Sequence, residues 1–203
     1  MLPIEHAATI LKNGGVLMVP TDTNYAFAAD PWNVEACARL YEIKKRDVKK
    51  PLTLFVSRPE DLWVYAEVPD AQTEAVNSLM ARHWPGPLNF VLKKSPAAPN
   101  HPYLKEDSIS VVCNRNPVLN GLINLFGRPL AMTSANVSGV EHDSLIDYEL
   151  ASRTFPDAVD YIVPPGGMVP QTTRSSTIIS LLDGTLKVLR QGDVVLAWRA
   201  SRP

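Results

Sequence analysis

The chain has 203 residues, 45% of them hydrophobic and 20% charged, and its formal net charge is -1. It is long enough for one large or two small domains, and any nucleic-acid site must be a local patch rather than a whole-protein field. Its two cysteines, Cys37 and Cys113, fit a reducing compartment and exclude a disulfide framework, and the four histidines share no metal-ligand spacing. Because neither a secretory layout nor a membrane-length apolar run occurs, the sequence predicts a soluble cytoplasmic protein with no membrane partner.

Helical and extended patterns are interleaved along the chain. Apolar residues at helical spacing predict helices over residues 4–12, 70–82 and 118–126, a weaker helix over 147–155 and a helical turn over 59–64. Short apolar runs predict strands over residues 16–19, 52–56, 88–92, 108–113, 129–132 and 161–163. Residues 177–182 and 185–189 flank Asp183-Gly184, which predicts a tight hairpin, and residues 93–107 predict an irregular surface loop. With no repeat and no composition shift, the pattern favours a single α/β domain over residues 1–203 around a mixed sheet.

A basic loop follows the helix that Asn33 is expected to cap. Five cations lie in seven positions of this loop: Lys44, Lys45, Arg46, Lys49 and Lys50. Pro51 then ends the loop, since proline pushes the preceding residue out of helical geometry. Such a run commonly forms a solvated face at the negative end of the helix dipole. The alternative is a phosphate receptor, in which arginine supplies a planar fork and lysine a point charge.

Small polar side chains cluster at the ends of three predicted strands. They are Thr21 and Thr23, then Thr133, Ser134 and Asn136, then Ser175, Ser176 and Thr177. Ligands of open α/β sheets lie beyond the strand ends, so these residues can converge on one site, although the same residue types also build turns and caps. Neither common glycine-rich nucleotide loop occurs, nor does a G-x-S-x-G elbow. At such a site, hydroxyls would orient a small substrate and cations would neutralise phosphates.

Six segments of the chain form a recognisable set. They are Pro20-Thr21-Asp22-Thr23-x-Tyr25, Lys44-x-Arg46-x-x-x-x-Pro51-Leu52, Trp84-Pro85-Gly86-Pro87-Leu88, Thr133-Ser134-Ala135-Asn136-x-Ser138-Gly139, Ser176-Thr177-Ile178 and Arg190-x-Gly192. Their order and spacing resemble the YrdC/TsaC family over nearly the whole chain. Enzymes of that family are L-threonylcarbamoyladenylate synthases, which join L-threonine, bicarbonate and ATP into threonylcarbamoyl-AMP and release pyrophosphate. The resemblance implies a nucleotidyltransferase that serves the N6-threonylcarbamoyladenosine modification of tRNA. It also implies a twisted open mixed sheet with flanking helices around a concave positive cavity.

The resemblance further implies roles for individual residues. Four positions resemble a signature tetrad that is catalytic and binds ATP: Lys44, Arg46, Ser134 and Asn136. Thr21 and Ser176 resemble contacts to threonine, whereas Ser108 and Arg190 resemble contacts to the nucleotide. Mg²⁺ would ride on ATP oxygens, because few carboxylates stand near these motifs and Asp22 is only a weak candidate ligand. The expected partners are L-threonine, bicarbonate, ATP, and tRNA or tRNA-modification enzymes.

Three features depart from the family pattern. The family usually has an arginine, which resembles a threonine contact, where this chain has Val112. Arg115 and Arg174 are the candidates to replace that cation. The glycine that usually follows the tyrosine is Ala26 here, which narrows backbone freedom at that loop. No appended C-terminal domain is expected, because the chain resembles the short, single-domain branch.

Two alternatives to the synthase stay open. One is a divergent paralogue that carbamoyl-adenylates another amine, which the loss of the arginine at Val112 would favour. The other is a YrdC-like binding module whose basic concave surface grips RNA without catalysis. Against the binding module, aromatic residues are not interleaved with the cations to stack bases. RNA binding would also weaken steeply as salt rises, which separates it from the enzymes.

Overall fold

The structure is a computed structural model that describes residues 2–135, 146–167, 172 and 174–196. Its α-helices are α1 (Pro3–Lys12), α2 (Val34–Lys44), α3 (Leu62–Tyr65), α4 (Asp70–His83), α5 (Pro117–Phe126) and α6 (Tyr148–Thr154). Its strands are β1 (Leu17–Val19), β2 (Ala26–Ala29), β3 (Thr53–Val56), β4 (Ala66–Glu67), β5 (Leu88–Lys94), β6 (Ser108–Cys113), β7 (Leu130–Ser134), β8 (Tyr161–Ile162), β9 (Thr177–Ser180) and β10 (Lys187–Arg190). Short 3-10 helices cover Pro59–Asp61 and Pro102–Leu104. No helix in the described part of the chain is long and apolar enough to cross a membrane.

The strands form one mixed sheet. Their order is β10-β9-β5-β6-β3-β7-β2-β1-β8, and β4 pairs with β5 beside this path. The pairs β3–β6, β5–β9 and β1–β8 are parallel, while the other neighbours are antiparallel. Within the described residues the two edge strands, β10 and β8, do not pair with each other, so the sheet is open. The predicted mixed α/β fold with an open sheet and flanking helices is confirmed, whereas the number of domains stays a prediction.

Helices cover the two faces of the sheet unequally. Successive side chains of each strand point to opposite faces, and α2 and α4 pack on the face that carries Phe27, Leu54 and Phe90. On the opposite face α1 and α5 pack mainly over β1, β2 and β7, through residues such as Leu11 and Leu122. The apolar cluster under α1 and α5 reaches Phe55 of β3 but includes no described residue of β5, β6 or β9, so these helices leave that face of the three strands uncovered. That uncovered area positions the site described below.

The ends of α2 determine where the basic loop lies. Asn33 accepts a hydrogen bond of 2.9 Å from the backbone N–H of Ala36 through Oδ1, which confirms the predicted cap. At the other end Lys45 adopts a left-handed conformation, with φ of 49°, and so ends the helix. The helix therefore delivers Lys44 as its last residue and turns the following cations into a loop.

Three local predictions are wrong in whole or in part. The sequence pattern predicts no strand between residues 19 and 52, but Ala26–Ala29 form β2, a fully buried strand between β7 and β1. The predicted tight hairpin is wider, because β9 ends at Ser180 and β10 begins only at Lys187. Residues 93–107 form a surface loop only in part, since β5 continues to Lys94, and His101 and Leu104 are buried. The Lys94 ammonium donates to the carbonyl oxygen of Pro99 at 3.3 Å, which folds this segment back onto the protein.

Candidate functional site

A cavity of about 1040 Å³ opens on the uncovered face of the sheet. Seven of the residues implicated by the resemblance line it: Thr21, Lys44, Arg46, Ser108, Ser134, Ser176 and Arg190. Asn136, the other member of the predicted tetrad, lies outside the described residues. The structure therefore brings seven predicted residues to one place, while their roles stay predictions.

Lys44, the last residue of α2, is buried, with 2% of its surface exposed. Its Nζ donates a hydrogen bond to the carbonyl oxygen of Ser134 and another, of 3.1 Å, to the Ser134 hydroxyl. Burial, followed by the charges of Arg46, Lys50 and Arg190, lowers the pKa of Lys44 to about 7. The solvated-face interpretation of the basic run is therefore wrong for Lys44.

Arg46 is held by the loop that carries it. Its Nε donates to the carbonyl oxygen of Lys50 at 2.8 Å, and its Nη2 donates to that of Pro51 at 2.9 Å. The guanidinium carbon lies 5.8 Å from the centre of the Tyr41 ring, and the Tyr41 hydroxyl donates to the same Lys50 carbonyl at 2.7 Å. Burial lowers the pKa of Arg46, but a guanidinium remains charged at neutral pH. The loop thus presents a preorganised cation to the cavity.

All charged side chains in the described lining of the cavity are cations. Six cations reach the cavity: Lys44, Arg46, Lys49, Lys50, Lys105 and Arg190. Its described lining residues include no aspartate or glutamate. Clustered positive charge attracts polyanions, and guanidinium and ammonium groups suit phosphate oxygens. The cavity can therefore bind a polyphosphate. Separately, no group of three or more metal-ligating side chains occurs in the described residues.

Side-chain hydrogen bonds tie the loop between β1 and β2 to the start of β9. The Thr21 hydroxyl donates to the carbonyl oxygen of Asn24 at 2.6 Å and lies 3.2 Å from the Thr23 hydroxyl. The Asn24 amide donates to the Ser175 hydroxyl at 3.2 Å and accepts from the backbone N–H of Ile146 at 2.7 Å. These bonds gather hydroxyl groups at the end of the cavity next to β9, where they can orient a small polar ligand.

The Arg190-x-Gly192 segment supports the same end of the cavity. Arg190 donates two hydrogen bonds to Ser176, and the Gly192 N–H donates to the Thr177 hydroxyl at 2.9 Å. A Cβ at position 192 would lie 2.2 Å from the carbonyl oxygen of Ser175 and 2.7 Å from the backbone nitrogen of Thr177. Only glycine permits this close approach of two backbones.

Sequence reasoning missed several polar residues that line the cavity. They are Asn24, Thr53, Asn89 and Ser110. Ser110 lies two positions after Ser108 on β6, so both project from the same face, and Ser110 accepts a hydrogen bond of 3.2 Å from the Thr53 hydroxyl. This alternation of serine with apolar residues is the signal that could have identified Ser110. Asn89 is a lone polar residue among apolar neighbours of β5 and gives a weaker signal.

The arginines expected to compensate for Val112 do not reach the cavity. Val112 is buried in β6, with 1% exposed, and pairs with Phe55. Neither Arg115 nor Arg174 is among the described lining residues. Arg115 instead lies against the buried carboxylate of Asp22, with 3.8 Å between Nε and Oδ2. Asp22 is likewise not among those lining residues, and its candidacy as a ligand of ATP-bound Mg²⁺ stays a prediction.

Comparison with known proteins defines the class to which this fold and cavity belong. Residues 9–192 match the Sua5/YciO/YrdC family, described as telomere recombination. A threonylcarbamoyl-AMP synthase of Marinobacter nauticus is 33% identical over 186 residues, which cover 90% of this chain and 93% of the relative. A threonylcarbamoyl-AMP synthase of Klebsiella pneumoniae is 35% identical over 139 residues, which cover 67% of this chain and 71% of the relative. The chain belongs to the Sua5/YciO/YrdC family, which confirms the resemblance.

Solved structures of this family share the fold. P. abyssi Sua5 complexed with L-threonine superposes with a TM-score of 0.82 at 30% identity, covering 93% of this chain and 54% of that chain. E. coli YciO superposes with a TM-score of 0.80 at 28% identity, covering 94% of this chain and 89% of that chain. The present chain therefore spans about half the length of the P. abyssi protein.

Proposed function

We propose that this protein is an L-threonylcarbamoyladenylate synthase. It condenses L-threonine, bicarbonate and ATP into threonylcarbamoyl-AMP and pyrophosphate, and the product serves the N6-threonylcarbamoyladenosine modification of tRNA. The observation that carries the proposal is the convergence of the basic loop and three hydroxyl-bearing strand ends on one cavity. Two relatives above 30% identity bear the name threonylcarbamoyl-AMP synthase, and the similar P. abyssi Sua5 is complexed with L-threonine.

The two ends of the cavity suit two kinds of substrate. At the basic end Lys44 and Arg46 neutralise the triphosphate of ATP through charge-assisted hydrogen bonds. Ser134 holds the Lys44 ammonium in place for this contact. At the hydroxyl end, short polar side chains orient the amino acid. The other proposed contacts are Ser108 and Arg190 for the nucleotide and Thr21 and Ser176 for threonine. Asn136 is the remaining member of the proposed catalytic and ATP-binding tetrad.

The proposed reaction forms two bonds in succession. The threonine amine attacks the bicarbonate carbon, and loss of water leaves an N-carboxylate. An oxygen of that carboxylate attacks the α-phosphorus of ATP and expels pyrophosphate. Preorganised cations stabilise the charge that develops on the phosphates, so no covalent protein intermediate is required. When bound, Mg²⁺ neutralises further phosphate charge, and the nucleotide's own oxygens hold it because the described lining has no carboxylate.

Pyrophosphate release across a panel of amino acids tests the proposal. Release should require ATP, bicarbonate and threonine together, and mass spectrometry should detect threonylcarbamoyl-AMP. Release with another amine but not with threonine would favour the divergent paralogue, which Val112 makes the second candidate. No release with any amine, combined with RNA binding that weakens as salt rises, would favour a non-catalytic RNA-binding protein.

A further inference from the structure

Asn89 lines the cavity without a hydrogen-bond partner. This residue of β5 is buried, with 4% of its surface exposed, and its Oδ1 has no partner in the described structure. Its Nδ2 makes no hydrogen bond within the described residues either. Buried amides are normally paired, because an unpaired one loses its hydration without compensation. An unpaired amide in a cavity wall indicates that a ligand supplies the missing partner.

The other unsatisfied polar atoms do not share this arrangement. Within the described residues, three more buried side chains have an atom without a partner: Gln72, His101 and Asn120. Each of these three bonds to a backbone carbonyl oxygen through its other polar atom. None of them is among the lining residues of the cavity. Asn89 differs in both respects, because neither of its polar atoms has a partner in the described residues and it lines the cavity.

The strand register places Asn89 beside the hydroxyl end. Asn89 pairs with Ile178 of β9, two positions after Ser176. On its other side, the antiparallel register of β5 and β6 puts it next to Val112, which in turn pairs with Phe55. Ile178 and Phe55 also line the cavity. The amide is therefore a polar group set between apolar surfaces of the cavity wall.

We propose that Asn89 binds the side-chain hydroxyl of the amino-acid substrate and thereby selects a β-hydroxy amino acid over its apolar isostere. This inference rests on the synthase function proposed above. A hydroxyl and a carboxamide are each both donor and acceptor, so they satisfy one another without a charge. The apolar surfaces of Ile178 and Phe55 accommodate a methyl group beside that hydroxyl. A site built to hydrogen-bond a substrate hydroxyl rejects the analogue that lacks it, because the buried amide is then left unpaired.

Threonine and valine form the test pair, since they differ by a hydroxyl in place of a methyl group. The parent should show a kcat/KM for threonine at least about tenfold above that for valine, and Asn89→Leu should lower this ratio by about tenfold or more. Asn89→Asp keeps acceptors for the hydroxyl proton and should retain the preference. Gln72→Met removes a buried carboxamide outside the cavity and should leave the ratio unchanged. A general loss of stability lowers both activities together and does not move the ratio.

Calorimetric titration with threonine and with valine measures the same preference without turnover. An unchanged ratio in Asn89→Leu overturns the assignment, as does a parent that binds neither amino acid or binds both equally. A parent that prefers threonine through Asn89 but releases no pyrophosphate overturns the proposed reaction and supports the Asn89 assignment. If Asn89→Leu does not fold, Asn89→Ala serves for the same comparison.

Discussion

Arg190 donates two hydrogen bonds of 2.9 Å to Ser176, one from Nε to the carbonyl oxygen and one from Nη2 to the hydroxyl. Both residues line the cavity. Burial and the nearby charge of Arg46 lower the pKa of Arg190, but its guanidinium remains charged at neutral pH. Since Arg190 is the proposed nucleotide contact and Ser176 a proposed threonine contact, this pair links the two substrate positions.

Arg190→Ala should weaken the binding of both substrates. It removes a cation from the nucleotide position and frees the Ser176 hydroxyl that the guanidinium holds. A hydrogen bond to a charged group contributes about 1.5–3 kcal/mol, so the KM values for ATP and threonine should each rise about tenfold or more. Ser176→Ala should raise only the KM for threonine. Initial rates of pyrophosphate release measure both effects, and an unchanged KM for ATP in Arg190→Ala would contradict the nucleotide assignment.

Lys44→Ala and Arg46→Ala should each weaken ATP binding or turnover by well over tenfold. Removing one preorganised charge contact costs about 2–4 kcal/mol of binding or transition-state stabilisation. Lys45→Ala is the matched control, because Lys45 is the next residue, carries the same charge, is exposed and is not among the lining residues. Calorimetric ATP titration distinguishes the three variants. If both cavity variants bind ATP like the parent, the basic end is not the triphosphate site.

ATP affinity should fall as pH rises above 7, because of Lys44. With a pKa of about 7 in the free protein, Lys44 is largely neutral above that pH. A bound triphosphate favours the ammonium form and raises this pKa, so binding takes up a proton. Affinity should then decrease by up to about tenfold per pH unit until the pKa of the complex is reached. Calorimetry in buffers of different ionisation enthalpy measures the uptake, and its persistence in Lys44→Met would assign the proton to another group.

Gly192→Ala should displace the start of β9. The new Cβ would meet backbone atoms of Ser175 and Thr177 well inside contact distance, and backbone cannot move aside as a flexible side chain can. Forcing an extra carbon into a packed position typically costs about 1–3 kcal/mol. Gly121→Ala, within α5, is the control: its Cβ would lie 3.5 Å from Cδ1 of Ile4 in α1, so it should be neutral or stabilise by roughly 0.5–1 kcal/mol. Denaturant unfolding gives both values. A Gly192→Ala protein as stable as the parent would show that residues 190–192 shift to accommodate the new Cβ.

Periodicity predicted the elements that bury long apolar side chains. β6 and α5 appear close to their predicted bounds, because branched residues and a terminal glycine mark them locally. β2 was missed because Ala26–Ala29 is mostly alanine, which has low strand propensity. Its strand conformation comes from pairing with β7, which is distant in sequence, and with β1, which a loop separates from it. Pairing of this kind is not visible in local patterns.

The sequence motifs predicted which residues form the candidate site, but not the direction in which each side chain points. Motif order identified Lys44 and Ser134, but burial of the ammonium depends on a contact between residues 90 positions apart. Arg115 was expected near the site because it follows β6, yet its side chain turns to Asp22 instead. Asn89 is not predicted as a site residue, because its position in the cavity depends on neighbours that only the sheet register brings together.

Val112→Arg tests whether the cavity lacks a partner for the threonine carboxylate. Val112 projects from the same face of β6 as Ser108 and Ser110, so a longer side chain there would enter the cavity. Without substrate, the new guanidinium adds charge beside six cations and should lower the melting temperature. Threonine should raise the melting temperature of Val112→Arg more than that of the parent, because its carboxylate pairs with the new cation.

The KM for threonine in Val112→Arg should therefore fall by about tenfold or more, since a charge-assisted contact contributes about 1.5–3 kcal/mol. Val112→Met supplies similar reach without charge and should leave this KM unchanged. Removing Arg115 and Arg174 together should also have no effect, because neither is among the described lining residues. If Val112→Arg leaves the KM for threonine unchanged while the KM for ATP stays at the parent value, the carboxylate is already held by hydroxyls or backbone amides. The hydroxyl end of the cavity would then bind an amino acid without any guanidinium.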